Sequence, residues 1–168
     1  MKPAFGLTMP KDLPYDTLMH VAFAVPDIER AMVELGESFG VTWTAVRSVT
    51  MRVRVGDGSE LVAPMKAVYS REGPAYWELV WGPPGTRFSA HEGARYHHAG
   101  MFIDDVDAEV ARLQARGWTL TGRILDAEGV PGTAFLTGQF GINLELLTTP
   151  ARTTVQNWIF PPEAPLGS

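Results

Sequence analysis

The chain has no cysteine, which excludes disulfides, a thiolate nucleophile and any cysteine-held zinc or iron–sulfur centre. Any metal would have to be held by nitrogen and oxygen. Nor is there an apolar run near the ~20 residues of a membrane-spanning helix, and Met1-Lys2-Pro3-Ala4-Phe5-Gly6 lacks the apolar centre of a signal peptide. A cytoplasmic protein without membrane contact is expected. Positive charge is scarce: 14 Lys and Arg stand against 19 Asp and Glu, a net charge of -5, which argues against a nucleic-acid partner. The one basic run, Arg47, Arg52 and Arg54, reads as a solvated strand face. With 45% apolar and 20% charged residues, a chain of 168 residues can bury a core within one domain.

What the sequence does have is a repeat. His20-Val21-Ala22-Phe23-Ala24-Val25-Pro26-Asp27-Ile28 returns in pattern as His98-Ala99-Gly100-Met101-Phe102-Ile103-Asp104-Asp105-Val106. Each copy is a histidine, an apolar strand and an acidic residue opening an amphipathic helix. Each also ends on a strand with a central glutamate, Tyr76-Trp77-Glu78-Leu79-Val80-Trp81 and Ile142-Asn143-Leu144-Glu145-Leu146-Leu147.

The elements between follow from periodicity. Asp27 reads as an N-cap, Ile28, Ala31, Met32, Leu35 and Phe39 fall at helical spacing, and Gly40 supplies the stop. Val41 to Tyr69, rich in Val and Thr and broken at Gly56-Asp57-Gly58, reads as two or three strands. In the second copy Asp104 or Asp105 caps a helix with Val106, Val110 and Leu113 on one face and Gly117 at its end. Strands follow near Thr119 to Leu125, Gly132 to Thr137 and Gly141 to Leu147. The expected layout is an arm over residues 1–17, a βαβββ module over 18–82, a second over 96–148 and a Pro-rich tail over 149–168, all in one domain. The first module is the longer, with extra strand and loop around Val49 to Glu60. In the tail, Trp158-Ile159-Phe160 is expected to dock, as a cover or as a subunit contact.

Alternation along strands sorts the faces. Val21, Phe23, Val25, Ala99, Met101, Ile103, Trp77, Leu79, Trp81, Leu144 and Leu146 form core faces under the helices. The other faces carry His20 with Ala22 and Ala24, His98 with Gly100 and Phe102, Glu78 with Tyr76 and Val80, and Glu145 with Asn143 and Leu147. Small residues beside the histidines suit a concave substrate cup, with Trp43, Tyr76 and Phe102 as aromatic walls. Two imidazoles and two carboxylates on one sheet surface are costly to bury unless a divalent ion compensates them. Such a site would be neutral overall, with open coordination positions; zinc, nickel, cobalt, iron(II) and manganese all suit it. The strands leave open whether it forms within one chain or across a dimer. His97 ranks lower as a ligand because alternation points it away from His98, and His91 because it lies in a polar loop.

At these residues the chain resembles the vicinal oxygen chelate family, which includes glyoxalase I, methylmalonyl-CoA epimerase, extradiol dioxygenases, fosfomycin-modifying enzymes and bleomycin-binding proteins. The resemblance implies an α+β fold in which two βαβββ modules form a cupped mixed sheet with helices outside. It also implies a divalent metal on His20, Glu78, His98 and Glu145 and a homodimer binding a small-molecule substrate. The two histidine strands look most like the epimerase branch; Glu78-Leu79-Val80-Trp81-Gly82 looks like glyoxalase I. The positions at which bacterial glyoxalase I holds glutathione carry Ala24 and Gly82. The expected function is therefore a metal-dependent isomerase or epimerase working through an enolate or enediolate, with Glu145 as base and Glu78 as its partner. A glyoxalase I-like lyase, a drug-binding resistance protein and a ring-cleaving dioxygenase are the alternatives.

Overall fold

The computed structural model describes residues 18–73, 75–90 and 93–161, so the expected arm over 1–17, the last residues of the tail and His91 lie outside the described residues. The first module runs β1 (Leu18–Ala24), α1 (Ile28–Phe39), β2 (Arg47–Val55), β3 (Glu60–Tyr69) and β4 (Tyr76–Trp81). The second repeats it as β5 (Arg95–Ile103), α2 (Val106–Gln114), β6 (Thr119–Leu125), β7 (Pro131–Thr137) and β8 (Asn143–Thr148). Local chemistry sets the boundaries. Asp27 caps α1 by accepting from the Arg30 amide at 2.9 Å, and Gly40 ends it in the left-handed conformation at φ 71°. Of the two candidate caps for α2 it is Asp105 that accepts from the Ala108 amide; Asp104 instead accepts from the Thr149 hydroxyl.

Each module orders its strands the same way, β1-β4-β3-β2 and β5-β8-β7-β6, with the first and last strands parallel. The modules join antiparallel at β1 with β5 and again at β2 with β6, so the sheet closes into an eight-stranded barrel. The helices α1 and α2 lie outside. Val25, Ile28, Val68 and Leu79 form the core under α1, and Ile103, Val110, Leu113, Leu136, Leu144 and Leu146 the core under α2. At the second seam Arg52 and Arg54 pair with Glu60, as suits a solvated face.

The segment after β8 is not simply a Pro-rich tail: Thr149–Ile159 forms a helix, α3, with Pro150 in its first turn, where a missing amide proton costs nothing. Val155 and Ile159 are buried against Met19, Tyr69, Phe102 and Leu147. Trp158 packs edge-on against Tyr69 and donates its indole N–H to the Ala45 carbonyl at 3.0 Å. Helix α3 thus closes one side of the barrel interior. Of the apolar trio, Phe160 stays 57% exposed.

Candidate metal centre

The seam between β1 and β5 places the four chemistry-bearing residues on contiguous strands, β4, β1, β5 and β8. Register sets them in two rows across the sheet: Glu78, Ala22 and His98 in one, His20, Gly100 and Glu145 in the other. The middle of each row is small, and at Gly100 the His20 ring is the reason. A Cβ at Gly100 would collide with His20 Cε1, so that position admits no side chain unless the ring moves.

All four residues are buried, and their ligand atoms lie within 4.8 Å of one another. His20 Nε2 is 2.8 Å from His98 Nε2, 3.2 Å from Glu78 Oε2 and 3.2 Å from Glu145 Oε2. His98 Nε2 is 3.4 Å from Glu78 Oε2 and 3.1 Å from Glu145 Oε2. With metal–ligand bonds of ~2.1 Å, adjacent ligand atoms on one ion stand ~3–3.4 Å apart. The donor set fits a divalent cation, and one atom makes the case sharply. Among the described residues Glu78 Oε2, sealed from solvent, has no hydrogen-bond partner of good geometry, despite two imidazole nitrogens this near. Four donor atoms of this kind drawn together at one buried place are what a single divalent ion needs of its ligands.

Charge leads to the same place. Burial opposes the charged form of each group, yet Glu78 and Glu145 outweigh it at His20 and raise that ring to about 9. Burial likewise opposes the His98 cation, and Glu145 and Glu78 again raise it. In return burial is outweighed by the two histidines at the carboxylates, which drop to about 2 at Glu78 and well below the usual range at Glu145. Two buried carboxylates therefore need two positive charges, supplied by two protons or by one divalent ion.

His97 requires a correction. It does not point away from His98: Ala22 pairs with His98 and Phe23 with Tyr96, so His97 is the extra residue of a β-bulge and turns into the barrel. Its Nδ1 lies 2.7 Å from His98 Nδ1, and its Nε2 lies 3.1 Å from the Arg87 carbonyl. Burial, then His98 and Arg87, push its pKa down to about 3, so it is neutral. A carbonyl only accepts, so His97 Nε2 carries the proton and Nδ1 accepts one from His98 Nδ1. With Nδ1 committed as a donor, His98 turns Nε2 toward the carboxylates, the nitrogen that would bind an ion once its proton is displaced. The equivalent bulge in β1 leaves Met19 unpaired and sets its sulfur against His20 Nδ1. Strict alternation hid both residues; the two histidines in succession were the signal available.

Among the expected cup residues, Ala22 is buried between Glu78 and His98 in the register, Gly100 lies against the His20 ring, and Ala24 and Val80 join Ala63, Met65, Ala67 and Phe88 in an apolar cluster inside the barrel. Tyr76, Phe102 and Leu147 are covered by α3. Asn143 is a brace rather than a wall: it donates to the His97 carbonyl at 2.9 Å and accepts from Thr137. Trp43 is not in the interior at all, because it packs outside the sheet in the α1 core and donates to the Met32 carbonyl. Gly82 packs under Thr86 and Phe88, where a Cβ would collide, so the following loop folds against the barrel. A cavity of about 190 Å³ does open there, lined by Val53, Leu61, Ala63, Arg87 and Phe88 among others. The sequence reading named none of these. Tyr69, also missed, stacks edge-on against His20 at 5.5 Å, and burial, then Glu78 and Glu145, hold its phenol protonated.

Comparison with known proteins agrees with this architecture. Residues 19–136 match the family described as the Glyoxalase/Bleomycin resistance protein/Dioxygenase superfamily. The chain belongs to this superfamily. Methylmalonyl-CoA epimerase from Mycobacterium tuberculosis is similar over 88% of this chain and 97% of its own, at 17% identity and a TM-score of 0.58. A variant of the Streptomyces coelicolor methylmalonyl-CoA epimerase, in complex with 2-nitronate-propionyl-CoA, is similar over 82% and 96%, at 19% identity and 0.54. A mutant of 4-hydroxymandelate synthase from Streptomyces coelicolor matches 81% of this chain with 39% of its own, at 18% identity and 0.54. These likenesses concern the fold. No curated protein sequence matches the chain. Among the described residues no helix is long and apolar enough to cross a membrane.

Proposed function

We propose that the protein is a metal-dependent isomerase or epimerase that removes and returns a proton on the carbon next to a substrate carbonyl. The observation that carries this reading is the convergence of four buried ligand atoms, one of them a carboxylate oxygen without a hydrogen-bond partner of good geometry among the described residues. A divalent ion held by His20, Glu78, His98 and Glu145 supplies Lewis-acid stabilisation of the negative charge that the substrate oxygens acquire on deprotonation.

The chain's own groups do the rest. Glu145 takes the proton: it pairs across the sheet with Phe135, whose ring lies under the cavity-lining Arg87, whereas Glu78 pairs with Tyr69 on the α3 side. His97 holds His98 in its ligand tautomer, and the barrel wall with α3 keeps water from the exchanging proton. The fold shared with methylmalonyl-CoA epimerases supports an epimerase. A glyoxalase I-like reading has less support, since Ala24 and Gly82 are packed into apolar contacts and offer glutathione nothing. All four candidate ligands come from one chain, so the chemistry needs no second copy. A homodimer and a cytoplasmic location belong to the same reading, and sedimentation checks the first.

Elemental analysis and solvent deuterium incorporation test the reading. The protein purified without added metal should carry a divalent ion and exchange the proton of a 2-substituted acyl thioester. Glu145→Gln should keep much of the metal while exchange falls by about 10²–10⁴-fold, the usual worth of a general base. Glu78→Gln should be milder. Exchange that survives in Glu145→Gln and vanishes in Glu78→Gln reverses the assignment. Bound metal with no exchange on any carbonyl compound would replace the enzyme by a binding protein.

A further inference from the structure

We propose that Arg87 forms an anion subsite beside the metal centre and that the substrate carries a carboxylate which this guanidinium binds. The inference rests on the interior being the substrate site and adds the substrate's chemical class.

Arg87 sits in the loop between β4 and β5, where Thr86 and Ser89 turn the chain through bonds to the Pro83 and Thr86 carbonyls. Its guanidinium lies 4.0 Å over the Phe135 ring, and Phe135 packs edge-on to His98 at 5.6 Å. One aromatic ring therefore separates this cation from a candidate metal ligand. The other side of Arg87 lines the 190 Å³ cavity.

A guanidinium so placed lacks its usual company. Arg52 and Arg54 pair with Glu60, and Arg123 pairs with Asp107. Among the described residues Arg87 has no such partner. Among these residues its guanidinium donates from Nη2 to the Thr121 hydroxyl at 3.3 Å, while its buried Nε meets no acceptor. The carboxylate whose charge reaches it is Glu145, already held between His20 and His98. Arg95 adds positive charge nearby, with its own guanidinium committed to the Ser89 and Arg87 carbonyls. A largely desolvated cation of this kind is costly unless an anion completes it, and its planar fork suits a carboxylate.

The cavity narrows the class. Val53, Leu61, Ala63 and Phe88 give it apolar walls, and its volume holds roughly six water-sized groups. Thr86 spends its hydroxyl on the Pro83 carbonyl, so Arg87 is the one cationic donor in the lining. A short aliphatic chain ending in one negative charge matches this; a doubly charged phosphate ester brings a second charge with no donor to meet it.

The test uses the full-length protein as purified and three probes of similar size: pentanoate, pentanamide and n-butyl phosphate. NMR titration follows the methyl signals of Val53 and Ala63, which place the ligand in the cavity. Pentanoate should bind at least about tenfold more tightly than the neutral amide, the worth of a charge-assisted hydrogen bond, and also more tightly than the phosphate ester. That preference should persist after chelation of the metal, disappear in Arg87→Met and shrink in Arg87→Lys. Equal binding of acid and amide, or a preference that survives Arg87→Met, overturns the subsite; tighter binding of butyl phosphate overturns the carboxylate. If Arg87→Met does not fold, the wild-type preference and Arg87→Lys decide. Failure of the catalytic reading looks different: no deuterium exchange, with the Arg87-dependent preference intact.

Discussion

The two modules supply the same pair of candidate ligands and surround them differently. In module one, His20 has the Met19 sulfur against its Nδ1 and the Tyr69 ring at its edge, and the whole is sealed beneath α3. In module two, His98 leans through His97 on the Arg87 carbonyl, with Asn143 bracing the bulge from behind. The bulge itself is common to both. A repeat can thus copy geometry exact to the strand register while its neighbours diverge, which leaves one half of the site apolar and closed and the other polar and beside a cavity. The proposed base, Glu145, belongs to the polar half.

Removing a ligand should break the comparison hardest, because here the modules are equivalent. His20→Ala and His98→Ala should each abolish stoichiometric metal binding while leaving a cooperative unfolding transition, since the cores under α1 and α2 do not involve these rings. Elemental analysis alongside thermal melting reads both. Retention of metal by either variant would end the four-ligand assignment.

The next layer should separate the halves. His97→Phe keeps the ring contact with Phe88 but loses the acceptor for His98 Nδ1, and metal affinity should drop about 10–100-fold, the usual cost of losing such a partner. Met19→Leu removes only a soft contact and should change affinity by less than about threefold. The visible spectrum of the cobalt-loaded protein should shift for the first variant and not for the second. Equal effects would mean that both neighbours merely fill space.

Much of this was legible in the sequence because the repeat carried it. Capping by Asp27, the stop at Gly40 and the small residues beside the histidines all follow from local rules that the fold obeys. The misses have a shared origin in features that local rules cannot see. A bulge reverses His97 without any change in composition, Trp43 crosses to the helix side because the chain enters β3's neighbourhood by a single bridge to Ser70, and α3 begins at a Pro that reads as a breaker. The cavity is invisible for another reason: it is lined from β2, β3 and the loop after β4, elements brought together only when the barrel closes.

The row centres offer a third contrast. Gly100→Ala puts a methyl group into the space of the His20 ring, so it should destabilise by about 1–3 kcal/mol and also displace a ligand, lowering metal affinity. Ala22→Gly, in the equivalent place of module one, should cost about 0.5–1 kcal/mol through backbone freedom and leave metal binding nearly intact. Denaturant unfolding with and without added zinc measures both. A benign Gly100→Ala would show that the His20 ring has somewhere else to go.

The smallest expected effect concerns the charges that hold the site when no metal does. His20 is raised from 6.5 to about 9 on folding, so the stability it contributes is full below pH 6.5 and lost as the pH rises through about 9. Glu78 is lowered from 4.5 to about 2, so its contribution is full above pH 4.5 and lost as the pH falls through about 2. Both are complete together only between pH 4.5 and 6.5, and the melting temperature of chelator-treated protein should decline on either side of that window by a few degrees. A bound divalent ion replaces the two imidazole protons, so the alkaline decline should vanish when zinc is present, and the gap between loaded and stripped protein should widen from pH 6.5 to 9. His20→Asn removes the titrating ring from module one and should flatten most of the alkaline limb in the stripped protein, leaving the part due to His98. A stripped protein whose melting temperature is level from pH 6.5 to 9 would mean that the carboxylates find their positive charge elsewhere.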